Sequence, residues 1–199
     1  MGARRVLCSA LLAVLAIGCA GAKTPAELPP YVPPTEWLTF DFDGREWSPG
    51  ARARESRIAR EAYTLPGETA ETWTELVSVT LTYGAQRGVE LEPLLEITKR
   101  GLEEQCPSLD WEVIEMDRRH ALFTWVQRVC KDRELGPQTR IARIEFGRLG
   151  LHQVAYDAKT ARMAPGLRRT WIDALRNAKL EPRNDEPTTT LPFPVPKKK

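Results

Sequence analysis

The stretch A-L-F-T-W-V-Q-R-V-C, from Ala121 to Cys130, decides the predicted fold. Side chains alternate between the two faces of a strand, so Leu122, Phe123 and Trp125 place apolar groups on both faces. A strand that is apolar on both faces lies inside its sheet and has cover on each side. The sequence therefore predicts that this stretch is a central strand between two layers.

Further strands are predicted around it from alternating apolar residues bounded by turn signals. Gly147-Arg148 is one such signal and indicates a hairpin. The predicted strands lie near Ile58–Tyr63 and at Trp73–Thr82, Trp111–Met116, Thr139–Phe146 and Leu149–Tyr156.

Two segments change to helical spacing. Between Leu91 and Cys106, apolar residues recur at i, i+3, i+4 and i+11, and Pro107 ends the pattern. The second helix is predicted from Pro165 to Leu180, where Trp171 lies on the apolar face. The order β-β-α-β-β-β-β-α predicts an α+β fold in which about five or six mainly antiparallel strands are packed by two helices, as in an α/β/α sandwich.

Both ends of the chain differ in composition from this domain, which is predicted to span residues 38–180. Five prolines between Thr24 and Trp37 favour an extended polyproline II tether. Residues 181–199 contain five more prolines, three successive threonines and a terminal Lys197-Lys198-Lys199, and they predict a disordered tail.

The first residues have the layout of an export signal. Arg4 and Arg5 precede an apolar segment from Val6 to Ile17, about 12 residues long, whereas a membrane span needs roughly 20. The run L-A-I-G-C that ends at Cys19 resembles the lipobox of bacterial lipoproteins.

This resemblance implies that residues 1–18 are a cleaved signal peptide and that Cys19 carries lipid. Residues 19–37 would then form the lipid anchor and the tether. Ala20 follows the cysteine, and by the same resemblance this favours the outer membrane of the cell envelope, with the domain facing the periplasm. Plain secretion and an uncleaved anchor are the alternatives.

Charge excludes one class of partner. The formal net charge is +2, and loss of Arg4 and Arg5 with the signal would bring it close to zero. A neutral chain lacks the general electrostatic attraction that nucleic acid binding requires, so no nucleic acid partner is expected.

The remaining cysteines allow one internal bridge. If Cys19 carries lipid, Cys106 and Cys130 are left as a pair in a compartment where disulfides persist. A bridge between them would stabilise the fold by about 3.5 kcal/mol in the chain-entropy model. Two buried free thiols are the alternative.

The segment E-A-Y-T-L-P-G-E-T-A-E-T-W-T-E-L-V-S-V, from Glu61 to Val79, is the most distinctive one. Together with Cys106, Cys130 and the run L-H-Q-V-A-Y ending at Tyr156, it resembles a group of uncharacterised bacterial exported lipoproteins. The pattern also resembles the PsbP-like sandwich. The resemblance implies a fold, and it supplies no activity and no catalytic residues.

No catalytic, metal or cofactor site is expected from the motifs. Neither His120 nor His152 has a partner at ligand spacing, and nucleotide-binding and nucleophile-elbow motifs are missing from the sequence. Cys130 and His152 could form a thiol–imidazole pair, but a disulfide explains Cys130 more simply. Three acids would act as paired carboxylates only if folding brings them together: Glu71, Glu75 and Glu112.

Six tryptophans are many for this length. Core packing explains them, and an exposed aromatic groove for glycan or peptide would need at least two of them facing solvent. They are Trp37, Trp47, Trp73, Trp111, Trp125 and Trp171.

The layout of anchor, tether, domain and tail predicts an envelope protein held at the membrane by lipid on Cys19. We expect a non-catalytic binding or interaction module whose partner is another envelope protein or a cell-wall polymer. The alternatives are a carrier with a small-ligand pocket between sheet and helix and an envelope enzyme with a dispersed site.

Overall fold

The computed structural model of the protein describes residues 36–85, 89–132 and 136–182. The predictions for the signal peptide, for Cys19, for the tether up to residue 35 and for the tail from residue 183 lie outside the described residues. The described residues form nine strands and two helices, and neither helix is long and apolar enough to cross a membrane.

The strands are β1 Glu36–Thr39, β2 Ser48–Glu55, β3 Ile58–Thr64, β4 Glu75–Tyr83, β5 Leu109–Met116, β6 His120–Gln127, β7 Gln138–Phe146, β8 Gly150–Ala158 and β9 Lys179–Pro182. The helices are α1 Leu91–Gln105 and α2 Pro165–Arg176.

Seven of these strands form one antiparallel sheet in the order β2-β3-β4-β8-β7-β6-β5, and β1 pairs with β9 in a separate two-stranded sheet. Because β4 pairs with β8, two meanders are joined side by side, and α1 connects them along the chain.

The two faces of the large sheet carry separate cores, one for each helix. On one face, Trp171 and Leu175 of α2 are fully buried against a core that includes Val79, Ile141 and Tyr156. On the other face, α1 packs on a core that includes Phe123. Burying a large apolar side chain contributes about 1.5–3 kcal/mol, so each helix is held mainly by its apolar face.

The predicted α+β class and the mainly antiparallel sheet are confirmed. The stretch that begins at Ala121 is a strand buried on both faces, as expected from its sequence. It is second from an edge rather than central, because β8 occupies the middle of the sheet. It also ends at Gln127, before the predicted end at Cys130.

Three strands were not predicted, which is why the expected count of five or six was too low. The sequence of β2, S-P-G-A-R-A-R-E, has little apolar character because β2 is an edge strand with exposed side chains. The strands β1 and β9 have four residues each, and they pair although they are the first and last described elements of the chain. They extend two residues beyond the predicted domain limits of 38 and 180 at each end.

The second helix is shorter than predicted. It ends at Arg176, and Leu180 belongs to β9, where it pairs with Leu38. Arg143 of β7 contributes to this end, because its Nη1 donates a hydrogen bond of 2.6 Å to the carbonyl oxygen of Arg176. A cation at the C-terminus of a helix stabilises the unpaired carbonyl groups there.

Two ion pairs join α2 to the edge strand β5. Arg168 binds Glu112 at 2.7 Å, and Arg176 binds Glu115. Residues three apart normally point to opposite faces of a strand. A bulge between Val113 and Glu115 shifts the register, so both carboxylates reach the same helix.

The predicted disulfide is present between Cys106 and Cys130. Cys106 caps the C-terminus of α1, and Cys130 lies three residues after β6. The backbone N–H of Lys131 adds a hydrogen bond of 2.8 Å to the carbonyl oxygen of Gln105. The end of the first helix is therefore fixed to the loop that leaves β6.

Candidate functional site

Residues 40–47 connect β1 to β2 without regular secondary structure, and their aromatic rings pack against the sheet. Phe42 stacks on Trp47 with ring centres 5.7 Å apart, and Trp47 contacts Trp171 edge to face at the same distance. Beneath them, Tyr156 stacks on Trp171 at 4.3 Å. Aromatic pairs of this kind stabilise by about 0.5–1.5 kcal/mol beyond the area that they bury. The rings therefore hold an irregular loop in one conformation.

Charged groups fix the same loop to the start of β4. Arg45 donates two hydrogen bonds to Glu75, at 2.9 and 2.6 Å, and one of 2.6 Å to Asp43. Asp43 also accepts a hydrogen bond of 3.0 Å from Trp47 Nε1, and Glu75 accepts one from the Tyr156 hydroxyl. We call these five residues the loop network.

The loop network keeps each group in its ordinary charge state at neutral pH. Burial alone would raise the pKa values of Asp43 and Glu75, but hydrogen bonds from Arg45 and their other donors lower both below their usual range. Burial, followed by the hydrogen bond to Glu75, raises the pKa of Tyr156. The hydrogen bond to Glu75 also raises the pKa of Arg45, against the effect of burial.

These shifts decide what the network can do chemically. A general acid or base works best when its pKa lies near the working pH. Here both carboxylates stay ionised and Tyr156 stays protonated, so neither a proton donor nor a proton acceptor is poised near neutrality. The arrangement is suited to holding the loop in shape.

The acids considered for a paired-carboxylate site are not brought together. Glu75 is in the loop network, whereas Glu71 accepts a hydrogen bond from Thr69 and Glu112 binds Arg168. The network was missed because Asp43 and Arg45 lie 30 or more residues from Glu75 in the sequence. The Asp43-Gly44 dipeptide was an available signal, since Gly44 has a φ of +83° and turns the chain between the two charged residues.

The structure also shows where the residues of the other predicted alternatives lie. Cys130 is in the disulfide and has no thiolate to pair with His152. His120 Nδ1 lies 3.0 Å from Asp117, and in the register of the sheet Glu145 separates His120 from His152. Of the six tryptophans, Trp37, Trp125 and Trp171 are buried and the other three are half-buried. Core packing accounts for five of them, whereas the half-buried Trp73 lies under the ammonium group of Lys159, 4.3 Å from its ring centre.

A second polar centre involves Glu36, which the sequence had assigned to the tether. Its carboxylate accepts hydrogen bonds of 3.0 Å from both the backbone N–H and Nε of Arg148. Its Oε1 lies 3.1 Å from Nε2 of His152, which is fully buried. Gly147 makes this approach possible, because a Cβ at that position would overlap Glu36 and lie 2.8 Å from His152 Nε2.

Cavities and ligand clusters offer little more within the described ranges. An open hollow beside the disulfide is lined by Glu104, Gln105, Lys131 and Asp132. No group of three or more histidine, cysteine, aspartate or glutamate side chains that could hold a metal ion occurs in the part of the chain that the structure describes. No protein-family model matches this chain, and no curated protein matches it either.

Proposed function

We propose that this chain is a lipid-anchored envelope protein whose domain is a non-catalytic interaction module. The observation that carries the proposal is the fixed shape of the loop at residues 40–47. Ordering an irregular loop costs about 1–2 kcal/mol of backbone entropy for each residue. The loop network and the aromatic stack offset that cost before any partner arrives, and a pre-organised loop binds more tightly for that reason.

The exposed chemistry of the loop supports a protein partner. Phe42 is an exposed large apolar side chain, and Asp41 and Glu46 are exposed beside it. Because Arg45 is engaged by Asp43 and Glu75, the free charge of the loop is acidic. An acidic and aromatic surface suits a basic patch on another envelope protein and would repel an anionic cell-wall polymer.

Two features support a location in the cell envelope. The segment ending at Cys19 resembles a lipobox, and the Cys106–Cys130 disulfide suits an oxidising compartment. Metabolic labelling with a fatty acid tests the anchor, because wild type should carry the label and Cys19→Ala should not. A labelled Cys19→Ala protein would contradict the assignment of the lipid to Cys19.

Site-specific photo-crosslinking in intact cells tests the interaction surface. A photoreactive residue at Glu46 should capture one recurrent protein, and the same residue at the exposed Glu96 of α1 is the matched control. Asp41→Arg should abolish the capture at position 46, because it reverses the charge of the surface. Equal capture from both positions, or turnover of a substrate by the purified domain, would overturn the proposal. Cosedimentation with purified cell wall, in place of protein capture, would indicate a polymer partner instead.

A further inference from the structure

The strand β1 is attached to the domain at three kinds of contact. It pairs with β9, it buries Trp37 and Leu38, and its first residue binds the turn between β7 and β8 through Arg148. The position of Glu36 is the most unusual of these features, because its carboxylate also lies against the fully buried His152.

His152 has an environment that makes it sensitive to protonation. It is fully buried, and among the described residues neither ring nitrogen makes a well-aligned hydrogen bond. Burial lowers its pKa below the ordinary value of about 6.5, although Glu36 and Glu145 act in the opposite direction. Its partner in the sheet on the β4 side is the apolar Leu81. The charged groups around it are Glu36 of β1, Glu145 of β7 with its partner Arg143, and Arg148 of the turn. The other titratable group in the same row of the sheet is His120 of β6, which lies opposite Glu145.

We propose that Glu36 and His152 form an acid-sensitive latch, which holds β1 on the sheet at neutral pH and opens more often as the pH falls. When β1 leaves, His152 reaches water and binds a proton more readily than in the closed state. Acid therefore favours the open state by linkage. The closed state has its full stability above the ordinary histidine pKa and loses stability as the pH falls below it.

The latch would control how far the domain reaches from whatever precedes it in the chain. Four residues of extended chain span about 13 Å, so release of β1 lengthens the connection by about that distance. Release would also leave β9 without its strand partner. This inference goes beyond the proposed function and depends on neither a lipid nor a partner protein.

Hydrogen exchange of the full chain, corrected for intrinsic rates, tests the latch at about one pH unit above and one below 6.5. Amides of β1 and β9 should lose protection by up to about tenfold between these two pH values, since one proton is linked to opening. Amides of β6 and β7 should keep their protection.

Replacement of each histidine separates the latch from general acid effects. His152→Gln should remove the pH dependence of β1 and β9, and His120→Gln should retain it, His120 being the other histidine of the chain. Equal loss of protection across the sheet, or a pH dependence that survives in His152→Gln, would overturn the proposal. If His152→Gln does not fold, NMR titration of His152 in the wild type decides, because an ordinary pKa there would exclude the latch.

Discussion

Replacement of Gly147 by alanine should destabilise the domain through Glu36, although Gly147 itself lies in a surface turn. The added Cβ would overlap Glu36 Oε1 and lie 2.8 and 2.9 Å from His152 Nε2 and Cδ2. The overlap is more severe with Glu36 than with the fully buried His152, so the Glu36 side chain must move.

The cost follows from the bonds that Glu36 then loses. Its hydrogen bond from the backbone N–H of Arg148 is made to a charged group, and such bonds contribute about 1.5–3 kcal/mol. Its contact with the Arg148 guanidinium contributes less than about 1 kcal/mol, because that side chain is 79% exposed. We expect a loss of about 2–4 kcal/mol in the free energy of unfolding. For a domain of this size that corresponds to a fall in Tm of roughly 4–16 °C.

Urea unfolding followed by circular dichroism measures this loss, and two comparisons interpret it. Gly101→Ala is the control, because a Cβ there meets nothing within 4 Å and alanine inside α1 should stabilise by about 1 kcal/mol. In a Glu36→Ala background, Gly147→Ala should cost less than in the wild type, since the displaced carboxylate is gone and only the close contact with His152 remains. An equal cost in both backgrounds would show that the turn, and not Glu36, needs the glycine.

Three other substitutions test separate contacts. Arg45→Met should lower the free energy of unfolding by about 2–4 kcal/mol, because it leaves two carboxylates of the loop network without their cation; unchanged urea midpoints would contradict the network. Joint replacement of Cys106 and Cys130 by serine should cost about 2–4 kcal/mol in the same assay, and a loss below about 1 kcal/mol would show that the bridge constrains little. Glu115→Gln breaks a solvent-exposed ion pair with Arg176 and should cost less than about 1 kcal/mol, so a larger loss would mean that β5 and α2 depend on that pair.

Elements with a local apolar pattern were predictable from the sequence. The helix that begins at Leu91 and the strand around Phe123 carry their burial in their own residue spacing, since each faces a core along its whole length. Edge strand β2 has no such pattern, because neither hydrophobic core includes any of its residues and its side chains are exposed or half-buried.

The polar centres could not be predicted in the same way. Glu36 meets Arg148 across 112 residues of sequence, and Arg45 meets Glu75 across 30. Such contacts depend on which strands become neighbours, and nothing in the local composition of either partner specifies that. The loop network therefore became visible only with the topology, although the turn at Gly44 was locally encoded.

The pairing of β1 with β9 places the first and last described residues side by side, with Glu36 opposite Pro182 in the register. A domain whose two chain ends meet tolerates circular permutation and can be inserted into a loop of a host protein without stretching either junction. A short peptide between residues 182 and 36 should therefore permit new termini at an exposed hairpin such as Ser56-Arg57, which offers a direct way to label or fuse this domain while its core stays intact.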